Sequence, residues 1–213
     1  MLSSSLTINQ NSPPMEWNPQ TFRIGDLPLE SGEVIEDCQI SACILGNSHP
    51  TCTVLTTASI AGTHRRLDFL IGPGLALNTD HYRVIATDAL GNGLSSSPSN
   101  SASQPGIGFP NFTIRDMVDS QAALLDHLGI DRIDLVIGAS MGGMQALQWA
   151  VSHPKRIESV VAITPMARST AWSRSVNAVS RQLLMSDSGW TAGAVKADTW
   201  HGWAALMSVI AGR

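Results

Sequence analysis

Basic residues are scarce: 13 Lys and Arg stand against 17 Asp and Glu, a formal net charge of -4 in 213 residues. Neutralising nucleic-acid phosphates needs Lys and Arg gathered on one face, and no basic run occurs, so a nucleic-acid partner is excluded. Long apolar runs are also missing. The opening MLSSSLTINQNSPPMEW has no basic region followed by an uninterrupted apolar stretch, and no later window approaches the length of a membrane span. This excludes a secretory signal and a membrane partner, and the expectation is a cytoplasmic protein. Cysteine is sparse, with Cys38, Cys43 and Cys52 forming an odd set without C-x-x-C spacing. That fits a reducing compartment better than a disulfide framework, with the thiols acting as small buried hydrophobes. Neither G-x-x-x-x-G-K-[ST] nor G-x-G-x-x-G occurs, so Gly91-Asn92-Gly93 reads as a turn rather than a phosphate cradle. No internal repeat, metal cluster or tightly bound cofactor is indicated.

What is present is the make-up of an ordinary soluble domain, 43% hydrophobic and 14% charged, long enough for one sizeable core. Residues 1–19 are rich in Ser, Asn and Pro without an apolar period and read as a flexible leader. A hairpin follows, in which Phe22 and Ile24 alternate, Ser31-Gly32 turns, and Val34 to Leu45 alternates on the return. Further strands are expected at Thr51 to Thr56 and around Val84, Ile85 and Ala86, the latter ending at Asp88. The segment ALGNGLSSSPSNSASQPGIGFPNF is a long surface loop by its Gly, Ser, Pro and Asn content. Thr113 then caps an amphipathic helix in which Ile114, Met117, Val118, Gln121, Leu125 and Leu128 recur at three- and four-residue steps, with a stop at Gly129.

Strand IDLVIG, helix MGGMQALQWAVSHP and strand IESVVAIT complete an alternation that implies a mostly parallel sheet with flanking helices. The expected division is a core over 20–167 and a partial helical cap over 168–213. The cap carries Trp172, Trp190, Trp200 and Trp203, read as packing residues or as walls of an acyl pocket. Its last helix holds Leu206, Met207, Val209 and Ile210 close to the terminus, so the chain is expected to be incomplete at its C-terminal end.

The chemistry concentrates at Ile137 to Gly143, IGASMGG. Gly138, Ser140 and Gly142 spell G-x-S-x-G directly after an apolar strand and directly before a helix, the context of a nucleophile elbow. Glycines two before and two after the serine remove the Cβ atoms that would collide in the turn, leaving Ser140 Oγ exposed. A serine hydroxyl becomes nucleophilic only when a base takes its proton, and the oxyanion that develops needs two aimed donors. One should be the Met141 backbone N–H at the following helix N-terminus, where the dipole favours negative charge. The second is assigned to the backbone of Ser59, in the loop Thr57 to Gly62 after the third strand. Asp88 precedes the serine in the chain and reads as a loop anchor rather than a catalytic acid. His64 and His81 read as surface or loop histidines, with no carboxylate partner evident in sequence.

The blocks LIGPGLAL, DALGNGLSSSPSNS, FTIRDMVDSQAALLDHLGI and GASMGGMQALQWAVSHP resemble the homoserine O-acetyltransferase-like family of the α/β-hydrolase superfamily. The resemblance covers Thr21 to about Arg181. It implies an α/β-hydrolase fold with the beginning of a helical cap, and places such an enzyme in methionine biosynthesis. It also implies acyl transfer from acyl-coenzyme A, a co-substrate, to an amino-acid hydroxyl through an acyl-serine at Ser140. Arg181 on the first cap helix is a candidate for a carboxylate or coenzyme phosphate. A homodimer through the cap is a further expectation. The family's His-Ala-Leu-Thr-Gly wording is absent here, Thr57 and Ser59 standing where His and Leu would be. Its later Asp and His are absent too: Glu158, Asp187, Asp198, His153 and His201 hold none of the strand-end positions required. Two readings therefore stand beside the transferase: a serine esterase or thioesterase using water as acceptor, and an inactive truncated remnant.

Overall fold

Alternation and one turn glycine suffice for the first hairpin. Strands β1 (Gln20–Pro28) and β2 (Val34–Gly46) pair antiparallel, and Gly32 takes the turn at φ +85°, donating its N–H to Leu29 O at 2.9 Å. Strands β3 (Cys52–Thr57), β4 (Tyr82–Thr87), β5 (Ile133–Ala139) and β6 (Ile157–Ile163) complete a six-stranded sheet in the order β1-β2-β4-β3-β5-β6. β2 meets β4 antiparallel, while β3 runs parallel to both β4 and β5, and β5 parallel to β6. This is a computed structural model, and it describes residues 15–211, with side chains through Val209.

Two core layers follow from the period-two alternation of side chains across each strand. Ile40, Ala42, Leu55, Ile85 and Val136 point to one face, where helices α1 (Ile114–His127) and α2 (Met141–Ser152) cover them with Val118, Leu124, Leu125 and Trp149. Cys43, Leu45, Val54, Val84, Ala86 and Ile137 point to the other, under Leu67, Ile71 and Leu77. Burial of Cys38 and Cys43 pushes both thiols up to about 11, and all three cysteines are free. Helix α1 begins as its sequence implies: Thr113 Oγ1 accepts from Asp116 N, and the Asp116 carboxylate accepts from Thr113 N at 2.7 Å. The same carboxylate accepts from Glu30 N at 2.8 Å and so ties the hairpin turn to the helix.

Of the described residues, 15–105 together with Phe109–Met166 form one compact unit. Gly106–Gly108 and residues 167–211 form a second, built on α3 (Ala171–Met185) and α4 (Ala197–Ala211). Within it Trp203 Nε1 donates to Ser180 Oγ at 2.7 Å.

Two expectations need correction. Most of the leader, residues 1–14, lies outside the described residues, but Met15 and Trp17 pack against the second core layer rather than hanging free. Trp17 stacks on His64 with ring centroids 5.8 Å apart, and Arg65 lies 5.5 Å from its centroid. An aromatic with a histidine and a cation to pack on is held, whatever the polarity of its neighbours. The Gly/Ser-rich loop after β4 is not simply a surface loop either. Ser95, Ser96 and Ser97 are buried, and the hydroxyls of the first two take the place of a neighbouring strand: Ser96 Oγ accepts from Gln39 N at 2.8 Å, and Ser95 Oγ from Ser41 N at 3.0 Å.

Candidate functional site

The central strand β5 ends between β3 and β6, with Gly138 opposite Thr57 and Ala139 opposite Ile163. The chain then turns at Ser140, which sits at φ 55° and ψ -120°, a conformation that a residue bearing Cβ adopts only when its surroundings impose it. Those surroundings are visible on both sides. Ser140 N donates to Ile163 O at 2.9 Å, and Ser140 O accepts from Met144 N at 3.0 Å as the first bond of α2. A methyl at Gly138 would overlap Thr57 Oγ1 and the Gly142 carbonyl, and one at Gly142 would overlap Thr57 O. The glycines thus allow α2 to start directly against the ends of β3 and β5. Ser140 is exposed, and among the described residues its hydroxyl makes no hydrogen bond.

Met141 is the first residue of α2, so its N–H has no partner within the helix and lies at the positive end of the dipole. The loop after β3 is fastened to the same turn. Ser59 is buried and donates from Oγ to Ala139 O at 2.6 Å, while Arg66 Nε donates to Ser59 Oγ at 3.2 Å. Thr57 Oγ1 donates to Gly142 O at 2.8 Å. Thr57 and Ser59, the two departures from the family wording, are therefore the side chains that join the loop to the elbow. The structure brings Ser140, Met141 and Ser59 together. Arg181 is exposed on α3, in the second unit.

The remaining titratable candidates are engaged elsewhere. His64 is a loop histidine but a buried one, and it has a carboxylate partner that sequence reading did not find: Asp88 Oδ2 lies 2.8 Å from its Nδ1. Asp88 also accepts from His64 N at 2.8 Å, Ser41 Oγ at 2.7 Å and Asn92 Nδ2 at 3.1 Å, which makes it the loop anchor expected. His81 is exposed. His153 Nε2 pairs with Asp119 at 3.0 Å, and Glu158 with Arg132 at 3.3 Å. Asp187 accepts from Thr199 Oγ1, Gly189 N and Lys196 N, and these bonds, the threonine's first, hold its carboxyl below the usual carboxylate range. His201 is exposed on α4, and Asp198 lies in the first turn of that helix. Among the described residues no cluster of His, Cys, Asp and Glu could hold a metal ion, and no helix is long and apolar enough to cross a membrane.

A serine forced to positive φ between a parallel central strand and a glycine-relieved helix is the hallmark of one class of fold. The family described as alpha/beta hydrolase fold matches residues 61–200, and the chain belongs to it. Within that class the chain is 37% identical over 205 residues to a homoserine O-acetyltransferase of Rhodospirillum rubrum, covering 90% of this chain and 51% of that protein. An acetylester hydrolase structure from Corynebacterium glutamicum superposes with a TM-score of 0.83 at 30% identity, covering 90% of this chain and 58% of that one. A homoserine O-acetyltransferase structure from Bacillus anthracis gives 0.77 at 26%, covering 86% and 56%. The chain thus spans about half the length of the relatives it matches.

Proposed function

We propose that this chain carries the nucleophile half of an acyltransferase in which Ser140 forms an acyl-enzyme from acyl-coenzyme A and an amino-acid hydroxyl, such as that of homoserine, takes the acyl group. The observation that carries the reading is Ser140 itself, exposed at φ 55° at the start of α2. A base removes the hydroxyl proton as Oγ attacks the thioester carbonyl. The Met141 and Ser59 N–H groups stabilise the oxyanion, and the thiolate of coenzyme A leaves, taking a proton from the base. The base then takes the acceptor hydroxyl's proton as that oxygen attacks the acyl-serine carbonyl, the same two donors hold the oxyanion, and the Ser140 oxygen leaves and takes the proton back. The base and its carboxylate are assigned to the part of the protein that the relatives have and this chain does not span. Arg181 is assigned to a carboxylate or phosphate of the substrates. The paired helices α3 and α4 are assigned to a homodimer contact, and the protein to the cytoplasm.

Full-length protein incubated with acetyl-coenzyme A and homoserine should release free thiol, and Ser140→Ala should abolish that release. Thiol release persisting in the variant would remove Ser140 from the mechanism. The likeness to an acetylester hydrolase favours a second reading, in which water is the acceptor. Both readings share the acylation step and differ in the second half-reaction. Cleavage of a p-nitrophenyl ester that homoserine leaves unchanged selects the hydrolase, whereas acceleration by homoserine with O-acyl product selects the transferase.

A further inference from the structure

The Ala58–Ser59 peptide is gripped from its carbonyl side. Gln145, in the second turn of α2, donates from Nε2 to Ala58 O at 2.9 Å and lies 3.4 Å from Met141 O. Its own Oε1 accepts from Gln121 Nε2 at 2.6 Å, and Gln121 Oε1 accepts from Trp149 Nε1 at 2.7 Å. Gln121 is 1% exposed, while Gln145 and Trp149 are wholly buried. Placing two amides in a core layer is costly unless every polar atom is satisfied, and here the row closes from the indole to a loop carbonyl.

The order of this row has only one solution. An indole N–H donates and cannot accept, so Gln121 must turn its oxygen toward Trp149. Its NH2 then faces Gln145, which forces the Gln145 oxygen toward Gln121 and the Gln145 NH2 toward Ala58 O. Trp149 thereby fixes the orientation of both amides. In a trans peptide the C=O and N–H point in opposite directions, so holding Ala58 O against α2 turns the Ser59 N–H away from the helix layer. On its other side Ser59 is bonded through Oγ to Ala139 O, next to the nucleophile position. Without Gln145 the peptide could rotate, and its N–H would lose its aim.

We propose that Gln145 is a positioning residue for the oxyanion hole: anchored by Gln121 and Trp149, it locks the Ala58–Ser59 peptide so that the Ser59 N–H serves as the second donor. The proposal rests on the acyl-serine reading above and assigns a supporting group to that same site. Gln145 touches no substrate and acts only through the peptide it holds.

The test uses full-length protein and p-nitrophenyl acetate, whose acylation step both functional readings share. Gln145→Glu keeps the shape but loses the donor at neutral pH. It should lower kcat by about tenfold to a hundredfold with KM changed by less than about twofold. As pH falls, the ratio of its kcat to the parent's should rise, because a protonated carboxyl again donates to Ala58 O and burial lifts that pKa above the ordinary range. The polar neighbours at this position are Gln121 and the Ala58 and Met141 carbonyls, none titratable, so the recovery reports the new carboxyl itself. Gln145→Met should show the same loss without recovery. Trp149→Phe, which removes only the orienting donor, should lose roughly threefold to tenfold.

Parent-like kcat in Gln145→Met, a pH-independent ratio for Gln145→Glu, or loss of fold in all three variants overturns the proposal. Should Gln145→Glu alone fail to fold, the other two decide. Ser140→Ala run in parallel separates the two claims. An inactive Ser140→Ala beside a parent-like Gln145→Met ends the positioning role only, whereas an active Ser140→Ala ends the acyl-serine reading itself.

Discussion

The sheet centre and the chain beyond α2 are built to different standards. Among the described residues every buried side chain lies between Leu27 and Trp149, and from Ala150 onward none is buried. Helix α3 is amphipathic and α4 is apolar along most of its length, yet Trp172, Val179 and Val209 remain 64%, 56% and 80% exposed. The difference bears directly on the elbow. A serine at positive φ is costly by about 1–3 kcal/mol and persists only where neighbours on every side over-determine the backbone. Around Ser140 those neighbours are Ile163 O, Thr57 and Ser59.

The contrast predicts unequal responses to the same substitution. Trp149→Ala empties a wholly buried site and removes the Gln121 partner, and should cost about 3–5 kcal/mol in urea unfolding. Trp172→Ala, at a site 64% exposed, should change stability by no more than about 0.5 kcal/mol. Equal losses would mean that the second unit is as firmly packed as the first. Glycines give a second pair. Gly138→Ala forces a methyl onto Thr57 and Gly142 and should cost about 3 kcal/mol. In α4, Gly202→Ala meets nothing nearer than Leu183 Cδ2 at 3.8 Å and should gain up to about 1 kcal/mol from helix propensity. A tolerated Gly138→Ala would show that the elbow has slack.

Asp88 tests how the loops above the sheet are held. Asp88→Ala leaves His64 N, His64 Nδ1, Ser41 Oγ and Asn92 Nδ2 without their acceptor and should cost about 2–3 kcal/mol. Hydrogen exchange should quicken first at His64, whose N–H Asp88 accepts directly. Unchanged exchange there would shift the anchoring role to the Trp17–His64 stack.

How much of this was legible in the chain follows the range of each interaction. Thr113, three residues before Asp116, and Gly138-Ser140-Gly142, between a strand and a helix, are local signals, and the structure places them as their spacing implies. Asp88 and His64 are 24 residues apart, and Gln145 and Ala58 are 87 apart, so only the sheet order brings those pairs together. The hidden part of the site therefore lies in its supports. A signal for Gln145 was nevertheless available: with Gln121 it is a polar residue on the apolar side of a predicted core helix, a position that demands a partner. The loop serines misled for the converse reason. Their composition suggested solvent, but small hydroxyls bonding strand backbone are as compatible with burial as an edge strand would be.

The smallest predicted contrast lies inside the well-packed unit. Burial raises the Cys38 and Cys43 thiols to about 11, so the nucleophilic thiolate is nearly absent at neutral pH. Cys52 opens β3 and is only half-buried, and its thiol is raised as well, again mainly by burial. Iodoacetamide labelling followed by mass spectrometry should therefore modify Cys52 first, through access rather than acidity, with Cys38 and Cys43 slower by the rate of opening of the core. The sign of the pH effect follows from the same shifts. A folded-state pKa raised from 9.0 to about 11 gives a contribution that is intact below 9.0 and lost as pH rises through about 11. The denaturation midpoint should accordingly fall over that alkaline interval, and less so in Cys38→Ala. Labelling of Cys38 or Cys43 as fast as Cys52 would show that the layer burying that thiol opens as readily as the half-buried start of β3.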